Sequence, residues 1–456
     1  MGLTADGASD RAVVLGEVVL ASADEVHSPG WVVVADGAVE SVGAGPPPPE
    51  LAVVARGDLV MPGLVSAHQH AVDLLVAGGP TGPTFLDWLL GTYHSGLARA
   101  GPDDCALAVA AVRASTLAAG VTTMVDCWSV GPVADRARAE ACADASIGAH
   151  RASGGRTVFG VMGNEHPGAG WQAARTPVDV HDLCRPADET LAEVERLAST
   201  HHRADGGRTL VTPSPELPET STSRGLADAL DLAERLGTVL PIHLCASPPS
   251  RAAYGPVELE RDGLATSRLL AAHVSAVDDD DVQALGRDGI GVAHCPRSAR
   301  ALGARSLTPV AALRRAGARC GIGLDNASLN PSRDLFAEAR AAQLVAAVAG
   351  DPLDAATVFR MLTSEGADAA GLGDALGVLR PGRRADLLVL DTSGPHWHPT
   401  RETWADTVVA SATAADVRIV LVDGRVVVTG GVAVTGVDGR ALDRAATRIA
   451  TAMGWR

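Results

Sequence analysis

Aromatic side chains are scarce in this chain, 3% of 456 residues, and no apolar run is long enough to cross a bilayer as a helix. Cysteine is equally sparse. The seven thiols are odd in number and show no paired spacing, which excludes a disulfide framework, a zinc knuckle or a redox pair and points to reduced, buried thiols. Positive charge is in deficit too: 38 Lys and Arg face 54 Asp and Glu, for a net charge of -16, so no nucleic acid and no anionic membrane is expected as a partner. The first residues, Met1 to Arg11, include acidic side chains and no apolar core of a secretory signal, and a cytoplasmic location is expected.

Apolar residues are plentiful at 46%, dominated by small side chains, enough for a large core. Residues 12 to 61 read as short valine-rich strands with a hairpin signal at Asp36-Gly37, and the same style returns in Ala385–Leu390 and Ile419–Val428. Between them, alanine-rich helical stretches alternate with brief apolar strands, the pattern of a parallel barrel. The expected fold is therefore α/β: a (β/α)8 TIM-type barrel over 62–370, with a small β-sandwich formed by residues 1–61 and 371–456.

The most informative motif is His68-Gln69-His70 directly behind the apolar run Leu59 to Val65, because a strand turns residues i and i+2 to one face. Single histidines, His243, His273 and His294, end three later apolar runs, and Asp325 ends a fourth. Polar residues closing successive buried strands are how such a barrel assembles a site, since the loops after the strands share one mouth. Asp278 to Asp281 reads as acids at a helix start, favoured by the helix dipole. Cys245 reads as a packed thiol, having no basic neighbour in sequence to activate it.

The segments Met61–His70, Thr122–Asp126, His294-Cys295-Pro296, Gly323-Leu324-Asp325-Asn326 and Gly377–Leu387 together resemble the amidohydrolase superfamily, in its cytosine deaminase-like, guanine deaminase-like and triazine hydrolase-like branch. The resemblance spans nearly the whole chain. It implies that His68, His70, His243 and Asp325 bind one divalent metal, zinc first and iron second, and that a metal-bound hydroxide attacks an sp2 ring carbon of a nitrogen heterocycle. It further implies that Asp325 serves as general base, that His273 contacts the water or substrate, and that His294, His94 and Trp88 line the substrate pocket. A small-molecule substrate and a homodimer follow from the same resemblance.

One departure stands out. The branch carries a proton-shuttling glutamate three residues after the fifth-strand histidine, and here that position is Ala246. Glu165 and Asp126 are the candidate substitutes, Glu165 as a pocket residue. The leading expectation is a deaminase. The alternatives are hydrolysis of another ring substituent, opening of a cyclic amide or imine, or a protein that keeps the metal and only binds or rearranges a ligand. The Ala77–Pro83 loop, where the usual arginine is missing, is expected to shape an atypical pocket.

Overall fold

The computed structural model describes residues 11–455 except 83, 134, 169, 175 and 302–306. The acidic N-terminal stretch before residue 11 therefore lies outside the described residues, as does Pro83 at the end of the glycine-rich loop.

Eight short strands form the centre: β1 (Leu64–His70), β2 (Val121–Trp128), β3 (Arg156–Gly163), β4 (Thr209–Pro215), β5 (Leu240–Leu244), β6 (Leu269–His273), β7 (Gly291–His294) and β8 (Arg319–Ile322). All ladders among them are parallel, β1 to β4 in one run and β5 to β8 in the other. Every residue of β1 and β2 is buried, as strands covered on both faces require. Helices such as Arg136–Ala152, Ala187–His201 and Ser223–Leu236 fill the connections, giving the α/β TIM-type fold expected from sequence. Asp278 caps the helix Asp279–Arg287 and accepts from Asp281 N, so the acidic run serves that helix start.

The seam between β4 and β5 has a chemical cause. Pro213, Pro215 and Pro241 have no N–H to give a ladder. Two hydroxyls replace it: Thr212 Oγ1 donates to Val239 O at 2.7 Å and Ser214 Oγ to Pro241 O at 2.9 Å. At the β8 to β1 seam, Leu324 N donates to Ser66 Oγ at 3.2 Å, and Asp325-Asn326 pairs with Gln69 and His70. Gly323 permits that approach, since a Cβ there would stand 2.9 Å from His68 O.

The two ends of the chain share one nine-stranded sheet. Its central strand, Ala52–Pro62, pairs in parallel with Ala12–Ser22 and antiparallel with Leu387–Leu390, Val60 lying opposite Val389. Only Gly63 separates this strand from β1. Among the described residues no helix is long and apolar enough to cross a membrane.

A buried ion cluster bolts the barrel to that sheet. Arg156, at the start of β3, reaches Asp386 at 3.1 Å and Asp423 at 2.6 Å, and Asp423 also takes Arg384 at 2.6 Å and Arg208 at 3.2 Å. Burial pushes the Asp423 carboxyl up, but the guanidinium groups of Arg384 and Arg156 hold it below its ordinary value. A carboxyl depressed in this way stabilises the fold fully above its unfolded value, and that contribution is lost as pH falls through its folded value. Arg156→Met, which leaves Asp386 and Asp423 buried with fewer partners, should cost about 3–5 kcal/mol in chemical denaturation at neutral pH, with a smaller loss once the pH falls through the lowered value of Asp423. An unchanged midpoint would mean the cluster contributes nothing to stability.

Candidate active site

The barrel mouth collects the strand-end side chains that the sequence singles out. His68 and His70 both project from β1, their ring centroids 4.8 Å apart and edge-on. His243, from β5, stacks parallel to His70 with centroids 5.3 Å apart, and the ring of His273, from β6, lies 5.5 Å from that of His243. Asp325, just past β8, places Oδ1 3.5 Å from His68 Nε2 and 3.6 Å from His70 Nε2. His68, Asp325, His70 and His273 are at most 5% exposed.

Hydrogen bonds behind the rings decide what faces forward. His70 Nδ1 lies 2.6 Å from Cys127 O and His243 Nδ1 2.7 Å from Glu216 O. A carbonyl only accepts, so both protons sit on Nδ1 and both Nε2 atoms present lone pairs. Those two lone pairs face each other across 3.3 Å. His68 Nε2 and Asp325 Oδ2 are buried with no hydrogen-bond partner at all. With Asp325 Oδ1 facing the Nε2 atoms of His68 and His70, the lone pairs of His70 and His243 converge without a proton between them, an arrangement that is repulsive by itself and is matched by a cation. The residues therefore fit a divalent metal. Burial, with the neighbouring imidazoles, pushes His243 well below its ordinary value, and burial, partly offset by Asp325, lowers His68 to about 4, so both rings stay neutral at physiological pH. Burial works against the Asp325 carboxylate, yet His68, His273 and His70 hold it well below the ordinary range.

The strand ends turn sharply to aim these groups. Cys245, His273, Val274 and Asp325 all have positive φ, of 50°, 76°, 49° and 58°. For a β-branched residue such as Val274 this is a strained conformation. It is held by Val274 N donating to Leu244 O at 3.0 Å and by Thr308 Oγ1 donating to His273 O at 2.6 Å. Below the site, Asp126 accepts from Ala71 N at 2.8 Å and faces His150 Nε2 at 2.7 Å. Asp126 is thus occupied beneath β1, and the alternative in which it replaces the missing acid is corrected. Asp73 accepts from Ala327 N at 2.6 Å, tying the loop after His70 to the loop after Asp325.

The cavity above is walled by Phe85, Trp88, Leu89, Met162 and Leu329, with His70, His243, His273 and Asp325 at its floor and Ala246 in its lining. Trp88 is buried in this wall. His94 stands one layer back, its Nε2 3.3 Å from Glu216 Oε1. His294 is buried beyond the floor without a partner on Nδ1, and burial lowers it to about 4. Glu165 lines a different recess and accepts from Thr222 N at 2.8 Å, so its expected place in the substrate pocket is corrected. Cys245 is fully buried and burial pushes its thiol up, in keeping with a packing role. Glu216 is the residue that sequence reasoning missed. It lines the cavity, and its Oε2 accepts from Asn164 Nδ2 at 2.5 Å. Although burial raises it, His94 and Asn164 keep the Glu216 carboxyl below its ordinary value. Its one sequence signal is an acid ending the run from Leu210, which three prolines in Pro213-Ser214-Pro215-Glu216-Leu217-Pro218 disguise as a loop.

Comparison with known proteins places this geometry. A model of the Amidohydrolase family matches residues 59–427. A 5-methylthioadenosine/S-adenosylhomocysteine deaminase of Symbiobacterium thermophilum is 32% identical over 439 residues, covering 92% of this chain and 93% of that one. The zinc-bound crystal structure of an adenosine deaminase from Xanthomonas campestris superposes with a TM-score of 0.82 at 24% identity, covering 97% of this chain and 98% of that one. A mutant atrazine chlorohydrolase from Arthrobacter aurescens TC1, complexed with zinc and atraton, superposes with a TM-score of 0.83 at 22% identity, covering 96% and 99%.

Removal of a divalent ion from the purified protein by a chelator should lower its melting temperature, because binding to the folded state alone stabilises it, and zinc should restore it. Elemental analysis should return about one equivalent per chain, in keeping with a single cluster of converging lone pairs. Identical melting curves with and without metal would contradict a metal in this cluster.

Proposed function

The chain belongs to the amidohydrolase family, and on that footing we propose that it is a metal-dependent aminohydrolase that releases ammonia from an sp2 ring carbon of a nitrogen heterocycle. The observation that carries the reading is the convergence of His70 Nε2, His243 Nε2 and Asp325 at the floor of an aromatic-walled cavity, with His68 Nε2 3.5 Å from Asp325 Oδ1. In this reading His68, His70, His243 and Asp325 hold one divalent ion. Zinc is proposed because three imidazoles and one carboxylate suit its borderline softness, and the two zinc-bound fold neighbours add weight. When bound, the ion supplies Lewis acidity and makes water a nucleophile near neutral pH, its pKa lowered towards about 7.

The chain's own groups do the rest. Asp325 Oδ2, buried and unpartnered, takes the proton of the attacking water and returns it to the departing amine. His273, its ring 5.5 Å from that of His243 and 5.4 Å from that of His68, steadies the attacking oxygen. Trp88 and Phe85, 5.8 Å apart between centroids, give a flat ring a stacking surface and keep bulk water away. The activity named for the Symbiobacterium relative supports an amino-bearing ring as substrate. Ala246 favours a second reading, displacement of a ring substituent other than an amine, for a ring that reacts without prior protonation. We further propose that 62–370 is the catalytic barrel and that 1–61 and 371–456 make one β-sandwich domain, a division supported by the Val60 to Val389 pairing.

Two measurements check the reading. The metal-loaded protein, screened against purines, pyrimidines, pterins and triazines, should release ammonia from one ring class; metal without ammonia from any of them moves the reaction to the second reading. Asp325→Asn should retain most of the metal while turnover falls by roughly 10²- to 10⁴-fold, the usual reach of a positioned acid–base group. Full activity in that variant would take Asp325 out of the proton path.

A further inference from the structure

Glu216 is the one carboxylate in the cavity besides Asp325 among the described residues, and it is built in with care. Its backbone carbonyl receives His243 Nδ1 at 2.7 Å, which fixes the residue beside the floor of the site. Its side chain is gripped from behind by His94 Nε2 at 3.3 Å and Asn164 Nδ2 at 2.5 Å. Both holders are themselves oriented. Asn164 Oδ1 lies 2.5 Å from Thr220 Oγ1, which turns the amide's donor end to Glu216. His94 Nδ1 has no partner, so the N–H that the ring gives to a hydrogen bond is the Nε2–H facing the carboxylate.

A carboxylate offers about four lone-pair sites, and these two donors occupy two of them. The remainder face a cavity also lined by Phe85, Trp88, Tyr93 and Leu217, and among the described residues no donor besides His94 and Asn164 lies within hydrogen-bond distance of these oxygens. Ala246 presents only a methyl group to the same space. A desolvated, ionised oxygen pair in such a place is costly unless the ligand brings the donors.

Resting on the reading that the substrate is a nitrogen heterocycle, we propose that Glu216 is the specificity-determining anchor of the pocket, accepting N–H hydrogen bonds from an amidine-like edge, a ring nitrogen bearing hydrogen beside an amino or imino group. His94 and Asn164 are positioning residues that keep its oxygens aimed. The anchor selects flat rings with two adjacent donors on one edge and disfavours rings whose corresponding nitrogens are alkylated. Such an edge can engage both oxygens at once, the geometry that makes charge-assisted pairs selective.

The test uses 2-aminobenzimidazole, which carries this edge, and 1-methylbenzimidazole, which does not, titrated calorimetrically into the metal-loaded enzyme. The wild-type protein should prefer the first by about tenfold to a hundredfold, the usual selectivity of hydrogen bonds to a charged group, and Glu216→Gln should bring the ratio close to one with metal content unchanged. Equal binding of both probes by the wild type, or a ratio that survives in Glu216→Gln, overturns the proposal. Should Glu216→Gln fail to fold, Asn164→Ala, which frees one side of the carboxylate, should reduce the preference severalfold, and an unaltered preference there also overturns it. Ammonia release from none of the ring classes alongside an intact, Glu216-dependent preference would sink the aminohydrolase reading and leave the anchor standing. Ammonia release with a ratio indifferent to Glu216 would do the reverse.

Discussion

Two imidazole nitrogens held 3.3 Å apart, each with its proton committed to a backbone carbonyl behind it, are the contact on which the rest of the molecule depends. Nothing within the protein can relieve that opposition, because the carbonyls of Cys127 and Glu216 accept and never donate. The surrounding structure is organised to sustain it. The parallel strands fix the ring positions, the left-handed turns at His273 and Asp325 aim the remaining donors, and Asp126 and Asp73 tie down the loops that follow His70 and Asp325. Local strain of this kind persists only where its surroundings over-determine it, and here three loops and two buried carboxylates do so.

Much of this was legible in the residues alone, and for a physical reason. His68, His70, His243, His273 and Asp325 each end an apolar run, and in a parallel barrel a strand end is also a location in space, so position along the chain reports position at the mouth. The terminal strands were equally readable, their valine-rich alternation and Asp-Gly turns surviving any tertiary context. What could not be read were side chains whose meaning depends on what lies across the cavity. Glu216 hides in a proline-rich run that resembles a loop, although Pro213 and Pro215 are part of β4 and help force the hydroxyl-mediated seam. Glu165, just past β3, and Asp126, within β2, have the right chemistry, but each is claimed by a nearer partner, Thr222 N in one case and His150 in the other.

The polar groups divide the site into two territories. The floor is nitrogen-rich and suited to a cation, whereas the side wall holds one carboxylate among aromatic and aliphatic surfaces. The absence of an acid at Ala246 and the presence of one at Glu216 belong together in this light. They place the negative charge at the end of β4 and not beside His243 on β5, with His94 and Asn164 as its supports. A pocket can change which ring it accepts through such a placement while its floor stays the same, since function resides in the site and not in the barrel.

The pairing of Val60 with Val389, and of Arg156 with Asp386 and Asp423, also imposes an order in time. The strand that leads into β1 is made early on the ribosome, but its antiparallel neighbour and the carboxylates that neutralise Arg156 emerge only after all eight barrel strands have been synthesised. Until then the growing chain carries a buried-type arginine and an unpaired valine-rich edge in open solvent, features that invite chaperone attention and mispairing. The same long-range closure that makes the finished site rigid makes its assembly a late event in biosynthesis.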